Sequence, residues 1–358
     1  MPQYPQEWKE RAEGCLMGQV AGDSLGSLVE FKSPEEIRSA YPGGVRRLEN
    51  GGIWKTLAGQ PTDDSEMALM LARHLAQAAA YDPREALRGY EFWINSDPFD
   101  VGTTISNALR GRMSPDSQAN GALMRISPLG IFGASRSWEE VARWAREDAA
   151  LTHPHPVCLQ ANALYACLIA EAVRSGGSPR HLYAYVLQLA ERQPLEPSLR
   201  TALERAADSP PDDFMTFQGW VLVAFQNALW QLLHAPDLET GVVDTVMRGG
   251  DTDTNAAICG ALLGAVHGVR AVPAQWREAV LSCRPEQGRP GVGRPRPRCF
   301  WPVDIPELAS RLLEDRRRSA GNAVEERGEG TPFSLRVKGG SLPPQTPPSF
   351  PKARCSER

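Results

Sequence analysis

Two aspartates that follow a glycine pair are the side chains of this chain best suited to chemistry. The stretch from 249 to 268 reads GGDTDTNAAICGALLGAVHG and places Asp251 and Asp253 two residues apart. Apolar residues then recur at helical spacing, and Asp, Thr and Asn are common at the start of a helix. Taken alone, the pattern fits one capping aspartate and one solvated aspartate as well as it fits a functional pair. A second acidic helix start favours the functional interpretation.

The second acidic stretch runs from Gln60 to Glu66, reads QPTDDSE and opens another predicted helix. Asp63 followed by Glu66 resembles a capping box, in which side chains and backbone satisfy each other at a helix start. A cap needs one carboxylate, however, and each stretch carries more than one. We therefore expect the two helix starts to meet and to share bound cations.

Carboxylates and threonine hydroxyls supply the oxygen ligands that a hard cation such as Mg²⁺ prefers. The two stretches offer enough of them for two ions, with water and substrate completing the coordination. Two such ions can activate an attacking water and hold substrate oxygens, and their charge removes the repulsion among clustered carboxylates. The predicted metal ligands are Thr62, Asp63, Asp64, Asp251, Asp253 and Thr254.

Composition is that of an ordinary globular protein. The 358 residues are 42% hydrophobic and 23% charged, and the net charge of −4 implies no general attraction to nucleic acid or membrane. Seven cysteines without a CxxC pair are typical of reduced thiols rather than of disulfides or zinc ligands. The polar N-terminus lacks the apolar segment of a signal peptide, and no uninterrupted apolar run is long enough to span a membrane. We therefore expect a cytoplasmic protein.

Helical periodicity without an alternating strand pattern predicts an all-α fold. We expect one compact multi-helix domain from residue 1 to 316, with the acidic motifs at converging helix ends, and a disordered tail from 317 to 358. In the helix predicted from Glu10 to Ser27, glycine recurs every fourth residue, at positions 14, 18, 22 and 26. Glycine is less favourable than alanine in a helix by about 1 kcal/mol, so this stripe predicts another backbone packed very close.

Several isolated polar residues have both a structural and a functional interpretation. Glu30, between apolar neighbours, is either salt-bridged near the surface or a carboxylate that faces the metal site as a general base. Asp100, two residues before Gly102, begins another predicted helix either as a cap or as part of the site. His153 positions a ligand or caps a turn, since no cysteine framework supports zinc there. Backbone N–H groups at Gly121 could bind phosphate oxygens.

Two segments are predicted to be loops. The first, from Ser33 to Gln60, is rich in glycine, proline and charge, and we expect it to carry Trp54 toward the site. The second, from Arg284 to Arg298, contains five arginines and is either a solvated loop or a nucleic-acid patch. Aromatic residues come only after its end, which favours the solvated loop.

Taken together, six motifs resemble those of the ADP-ribosylglycohydrolase family, the group that includes the dinitrogenase-reductase-activating glycohydrolase. The resemblance extends from about residue 10 to 312, with the motifs in the family's order. It implies an all-α fold with a binuclear Mg²⁺ or Mn²⁺ centre, and hydrolysis of the N- or O-glycosidic bond that joins ADP-ribose to an acceptor. The motifs read GCLMGQVAGDSLGSLVEF, PTDDSEMAL, PFDVGTT, NGALMR, THPH and GGDTDTNAAICGALLGA.

The resemblance also implies roles for single residues. The six predicted ligands match the family's metal-binding motifs, and Glu30 matches an acid near the metals that contacts one ion or the reacting water. Asp100 matches an aspartate at the ribose, His153 a histidine beside the diphosphate or distal ribose, and the Asn-Gly pair at 120–121 a phosphate contact. Just before that pair, DSQA at 116–119 departs from the family's pattern and leaves the shape of the phosphate and adenosine pocket open. The implied substrate-binding residues are Asp100, Gly102, Asn120, Gly121 and His153.

The implied mechanism is attack of water on the anomeric carbon, with oxocarbenium character as the glycosidic bond breaks. Glu30 or Asp100 would accept the proton of that water. The expected substrate is an ADP-ribosylated protein or another ADP-ribose conjugate, and a modified nucleic acid stays open as a further substrate. We expect a monomer that does not bind membranes.

Two other functions compete with this hypothesis. A non-catalytic ADP-ribose-binding module would keep the pocket without hydrolysis, but the complete set of six candidate ligands favours an enzyme. A phosphohydrolase with Asp251 as its nucleophile would need an apolar strand directly before that residue. The sequence Arg-Gly-Gly at 248–250 is no strand, so this function ranks last.

Overall fold

Helices make up nearly all the regular structure of the chain. The structure, a computed structural model, describes residues 4–78 and 80–314, which belong to one compact unit. That part holds fifteen α-helices, four short 3₁₀ helices and two isolated β-bridges but no strand, so the all-α prediction is confirmed. The tail predicted from 317 lies outside the described residues. The α-helices are α1 (Gln6–Gly26), α2 (Pro34–Ala40), α3 (Asp63–Leu75), α4 (Pro83–Ile94), α5 (Thr103–Leu109), α6 (Ser127–Phe132), α7 (Trp138–Ala150), α8 (Pro156–Ser175), α9 (Pro179–Glu191), α10 (Pro197–Arg205), α11 (Val221–His234), α12 (Leu238–Met247), α13 (Thr252–His267), α14 (Ala274–Ser282) and α15 (Ile305–Leu313).

Helices α1 and α13 pack antiparallel with their backbones in direct contact. A Cβ atom at Gly18 would collide with the carbonyl oxygen of Gly260, and one at Gly260 would collide with the carbonyl oxygen of Gly18. The close backbone contact that the glycine spacing predicts is therefore confirmed. At the end of this contact Gly26 touches the backbone of Asp253, and the Thr252 hydroxyl donates to the carbonyl oxygen of Gly26 at 2.7 Å.

A second buried contact ties α3 to α1. Asp23, near the C-terminal end of α1, accepts hydrogen bonds from the backbone N–H groups of Thr62 and Ser65, each at 3.1 Å, and from the Thr62 hydroxyl at 2.9 Å. These N–H groups belong to the start of α3, so Asp23 acts as its cap from another helix. As a consequence, the C-terminal end of α1 and the N-terminal ends of α3 and α13 converge.

The surrounding helices bury these elements in a continuous apolar core. Helix α8 is long and apolar enough by itself to cross a membrane, yet 83% of its most apolar stretch is buried inside the protein. Burial of that extent is typical of a core helix. Free thiols in the core belong to Cys15, Cys158, Cys167, Cys259 and Cys283.

The segment from Ser33 to Gln60 contains a helix that the loop prediction missed. Helix α2 begins with proline at its first position and a capping box, in which Ser33 and Glu36 accept hydrogen bonds from each other's backbone N–H groups. The prediction of an irregular loop is therefore wrong at α2. Glycine and charge on both sides obscured a short helix whose stability comes from its cap rather than from an apolar face.

The arginine-rich segment from 284 to 298 is not solvated throughout. The Arg296 side chain is buried and forms an ion pair with Glu66 of α3 at 2.7 Å, while Glu66 also accepts a hydrogen bond from Trp93 Nε1 at 2.8 Å. The solvated-loop prediction is thus wrong at Arg296. The capping-box interpretation of Asp63 and Glu66 is wrong as well, because the Glu66 carboxylate is bound to Arg296 and Trp93.

Replacing Gly18 by alanine should destabilise the fold, because the new Cβ must push α1 and α13 apart. Overpacking of this kind costs at least about 1–3 kcal/mol in the free energy of unfolding. Gly89→Ala is the matched control, since its Cβ inside α4 would meet only Met70 Cε, at 4.0 Å. The control should gain up to about 1 kcal/mol of helix propensity. Urea unfolding measures both, and equal stabilities for the two variants would contradict the close backbone contact.

Candidate active site

The three converging helix ends enclose a cavity of about 410 Å³. Of the twelve residues predicted for the site, eleven line this cavity, and only Thr62 lies behind the wall, where its hydroxyl oxygen is 2.9 Å from Asp64 Oδ2. Residues from distant parts of the chain thus meet as the two acidic motifs require. The lining residues among those predicted are Glu30, Asp63, Asp64, Asp100, Gly102, Asn120, Gly121, His153, Asp251, Asp253 and Thr254.

Glu30, Asp251 and Asp253 form a tight acidic cluster at the start of α13. One carboxylate oxygen from each lies within 4.8 Å of the other two. Asp251 occupies the N-cap position, but its side chain makes no capping hydrogen bond, and both aspartates are buried. The interpretation of one capping and one solvated aspartate is therefore wrong. Asp251 accepts instead a hydrogen bond from Asn120 Nδ2 at 2.7 Å. The positive end of the α13 dipole favours negative charge at this place.

Asp63 and Asp64 bring two further carboxylates from the start of α3. Asp63 Oδ2 accepts a hydrogen bond from the backbone N–H of Gly102 at 3.2 Å. Asp64 Oδ2 contacts the hydroxyl oxygen of Thr62, whereas Asp64 Oδ1 is buried and has no hydrogen-bond partner among the described residues. A buried carboxylate oxygen without a partner is unfavourable, so Asp64 Oδ1 calls for a ligand.

Asp23 was not predicted from the sequence, although it supports this wall of the cavity. It is fully buried and fixes Thr62, which in turn contacts Asp64. The available signal was a single acid within a helix face made of glycine and other small residues. That signal shows an unusual position but does not reveal the helix that the carboxylate will cap.

The residues predicted to bind substrate line the same cavity. Gly121 leaves room there, since a Cβ at this position would press against the side chains of Ile105 and His153. The Nε2 atom of His153 is buried and has no hydrogen-bond partner among the described residues. Asn120, expected to contact phosphate, uses its side-chain amide to hold Asp251. Asp100 and Gly102 also line the cavity.

One aromatic side chain contacts Glu30, and two others lie nearby. Trp54 Nε1 donates to Glu30 Oε2 at 2.7 Å, which is the placement predicted for the loop that carries it. The Trp54 ring lies 5.9 Å from that of Phe99. Phe31 is exposed and has a left-handed backbone, with φ of 62°, held by a hydrogen bond from its N–H to the carbonyl oxygen of Gly250.

Comparison with known proteins decides what kind of site this is. A family model described as ADP-ribosylglycohydrolase matches residues 4–321. The chain belongs to the ADP-ribosylglycohydrolase family. The predicted family and the predicted reaction class, hydrolysis of the glycosidic bond between ADP-ribose and an acceptor, are confirmed.

Relatives within the family cover most of the chain. The ADP-ribosyl-[dinitrogen reductase] glycohydrolase of Rhodospirillum rubrum is 28% identical over 75% of this chain and 89% of its own length. The ADP-ribosylarginine hydrolase Tri1 of Pseudomonas putida is 26% identical over 77% of this chain and 76% of its own. A solved structure described as an ADP-ribosylglycohydrolase-related protein complex superposes with a TM-score of 0.71 at 27% identity, covering 87% of this chain and 99% of that one.

Burial and mutual repulsion raise the pKa of several carboxylates in the cavity of this glycohydrolase. Burial, followed by repulsion from neighbouring carboxylates, raises the pKa of Glu30 to about 8 and that of Asp100 to about 10. Burial raises the pKa of Asp63 to about 7, although the N–H of Gly102 opposes the change. Burial and then repulsion also raise the pKa of Asp64 and of Asp253.

The donor set fits a hard divalent cation. Carboxylate and hydroxyl oxygens from Glu30, Asp64, Asp253 and Thr254 face the same cavity, and Asp64 Oδ1 lacks any other partner among the described residues. Thiolates, which a zinc site commonly uses, do not line it. A cation would stabilise the ionised carboxylates that burial disfavours.

A metal-free preparation should lose stability as the pH rises from about 4 to about 8. An acid with a raised pKa in the folded state contributes stability that is complete below its unfolded pKa of about 4 and is lost as the pH rises through the folded pKa. Here that loss runs through about 7 for Asp63 and about 8 for Glu30. Mg²⁺ should therefore raise Tm by several degrees more at about pH 8.5 than at about pH 6, since only ionised carboxylates bind it.

Thermal unfolding with EDTA or with Mg²⁺ at both pH values measures this difference. Asp212→Asn, a change at an exposed carboxylate on the surface, should respond like the unchanged chain. Asp253→Asn should respond less. A Mg²⁺ effect that is the same at both pH values would contradict the proposed ionisation of the cluster.

Proposed function

We propose that this chain is a Mg²⁺-dependent hydrolase that removes ADP-ribose from a modified protein side chain or another conjugate. The observation that carries the proposal is the meeting of the Asp63–Asp64 pair of α3 with Asp251 and Asp253 of α13 in one cavity, beside Glu30. These residues are far apart in the sequence, and only the folded chain gathers them. In a glycohydrolase, such a cavity suits the ribose that carries the scissile bond.

Two divalent cations, Mg²⁺ or Mn²⁺, are the cofactors that we propose for the cavity. When bound, they would supply Lewis-acid charge that orients the hydroxyls of the distal ribose and lowers the pKa of the attacking water. Thr62 contacts Asp64 from behind the cavity wall and would offer a hydroxyl lone pair to the ion. The proposed ligands are Thr62, Asp63, Asp64, Asp251, Asp253 and Thr254.

Glu30 is the residue that we propose as general base. Its carboxylate shares the cluster with Asp251 and Asp253, and Trp54 Nε1 holds one of its oxygens at 2.7 Å, which leaves the other oxygen to accept a proton. In the metal-free cavity the pKa of Glu30 is raised to about 8. The charge of bound cations would lower this pKa toward neutrality, where a carboxylate suits proton transfer. The water oxygen then forms its bond to the anomeric carbon, the glycosidic bond breaks with oxocarbenium character, and the acceptor leaves with the bonding electron pair and a proton.

Asp100 has a different role in this proposal. It lies outside the cluster of Glu30, Asp251 and Asp253, and burial raises its pKa to about 10. A carboxyl group that keeps its proton near neutral pH can donate a hydrogen bond to a ribose hydroxyl or to the departing acceptor. Gly102, Asn120, Gly121 and the diphosphate contact at His153 would complete the recognition of ADP-ribose.

The identity of the acceptor depends on the cavity rim. The relatives differ in the acceptor that their names give, an arginine in one case and dinitrogen reductase in another. In this chain the rim carries the exposed Phe31 and the loop with Trp54, and the segment 116–119 departs from the family's pattern. We further expect a monomer that acts in the cytoplasm.

Asp253→Asn should abolish most of the hydrolysis while leaving the shape of the cavity intact. Loss of several kcal/mol of charge stabilisation lowers the rate about 100-fold or more, at about tenfold per 1.4 kcal/mol. Release of ADP-ribose is measured with a panel of substrates modified on arginine, serine or a nucleobase, with Mg²⁺ and with EDTA. Asp212→Asn makes the same chemical change on the surface and should leave the rate unchanged.

The outcomes separate the proposal from its alternative. Equal Mg²⁺-dependent release by the Asp253→Asn variant and the unchanged chain would end the proposed role of the cluster. Tight binding of ADP-ribose, measured by calorimetry, together with no release from any substrate under either metal, would favour the non-catalytic binding module.

A further inference from the structure

A series of buried hydrogen bonds leads from Arg125 to the cavity wall. Arg125 is fully buried, its Nε donates to Asp148 Oδ1 at 3.0 Å, and its Nη1 donates to Thr152 Oγ1 at 2.9 Å. The hydroxyls of Tyr81 and Tyr90 donate to the other carboxylate oxygen of Asp148. A guanidinium can only donate hydrogen bonds, so the direction of the bond from Arg125 to Thr152 is fixed.

The Thr152 hydroxyl forms the next hydrogen bond, to His153. Thr152 Oγ1 lies 2.8 Å from His153 Nδ1, and its two hydrogen bonds are to Arg125 and to this ring nitrogen. Arg125 uses one of the two lone pairs of the hydroxyl, and the hydroxyl proton has Nδ1 as its acceptor. The reverse arrangement, with a proton on Nδ1, would leave the buried hydroxyl proton without an acceptor, which is unfavourable.

We infer that Thr152 is a positioning residue that fixes His153 as the Nε2-protonated tautomer, so that the ring presents an uncharged N–H donor to an oxygen of the bound substrate. The inference rests on the proposed function, because ADP-ribose supplies that oxygen. His153 lines the cavity, and its Nε2 is buried with no partner among the described residues. Its Cε1 lies above Gly121, where a Cβ would be only 3.2 Å away.

Burial keeps this donor neutral. Burial and the nearby positive charge of Arg125 lower the pKa of His153 to about 3. A ring that never protonates near neutral pH adds no charge to a cavity of carboxylates. It therefore recognises a ribose or diphosphate oxygen by a directed hydrogen bond alone.

The tautomer can be observed in the unchanged chain without any ligand. After ¹⁵N labelling of the imidazole rings, two-bond ¹H–¹⁵N correlations distinguish a protonated ring nitrogen from an acceptor nitrogen. The chain has six histidines, and the signal that disappears in His153→Gln identifies His153. We expect protonation at Nε2, and the same pattern in Thr152→Ser. Protonation at Nδ1 in the unchanged chain would overturn the inference.

Substitution of Thr152 tests the consequence for binding. Thr152→Val keeps the shape but removes the hydroxyl, so both tautomers of His153 should become populated. Loss of one well-directed hydrogen bond should weaken ADP-ribose binding about 3- to 10-fold in calorimetry, whereas Thr152→Ser should bind within about twofold of the unchanged chain. Circular dichroism checks that the variants fold. If Thr152→Val does not fold, the tautomer measured in the unchanged chain still decides the inference.

Comparison of ADP with ADP-ribose locates the contact. Weaker binding of both ligands by Thr152→Val places the accepting oxygen on the diphosphate, and weaker binding of ADP-ribose alone places it on the distal ribose. Unchanged ADP-ribose affinity in a folded Thr152→Val chain would overturn the inference. Failure of the unchanged chain to bind ADP-ribose would overturn the proposed function instead, while the tautomer measurement would still decide the role of Thr152.

Discussion

The backbone contact between α1 and α13 is the constraint on which the rest of the structure depends. Glycines on both helices remove the side chains that would separate them, and carbonyl oxygens occupy the space. Because the two helices run antiparallel, the end of α1 meets the beginning of α13, and Gly26 touches the backbone of Asp253. Glu30 follows that contact and reaches Asp251 and Asp253, so the acidic cluster is a direct consequence of how closely two backbones pack.

Function at this place opposes stability. Six carboxylates face one cavity. Burial together with mutual repulsion disfavours the charged forms of Glu30, Asp63, Asp64, Asp100 and Asp253. The chain tolerates this arrangement because rigid elements hold it. Asp23 fixes the start of α3, and the buried Arg296–Glu66 ion pair holds the first turn of the same helix. A divalent cation relieves the repulsion, because its charge stabilises the ionised carboxylates and they become its ligands.

Much of the site could be predicted from the sequence because its motifs are local. The pairs Asp63–Asp64 and Asp251–Asp253 stand at helix starts with recognisable turn and capping residues, and the glycine stripe is visible in α1. What could not be predicted depends on partners that only the fold selects. Asp23 caps a different helix, and Arg296 finds Glu66 across a long stretch of chain. The sequence predicts a capping box at Asp63 and Glu66, but none forms. The same local pattern of acidic residues can either cap a helix or supply ligands.

The central claim is that these carboxylates are gathered to hold divalent cations. It is tested most directly by crystals grown with Mn²⁺ and by the anomalous scattering of that ion. The account predicts two anomalous peaks in the cavity, one among Glu30, Asp251 and Asp253 and a second beside Asp64 Oδ1. A cavity without anomalous density at a saturating Mn²⁺ concentration, or peaks confined to other surfaces of the molecule, would contradict it.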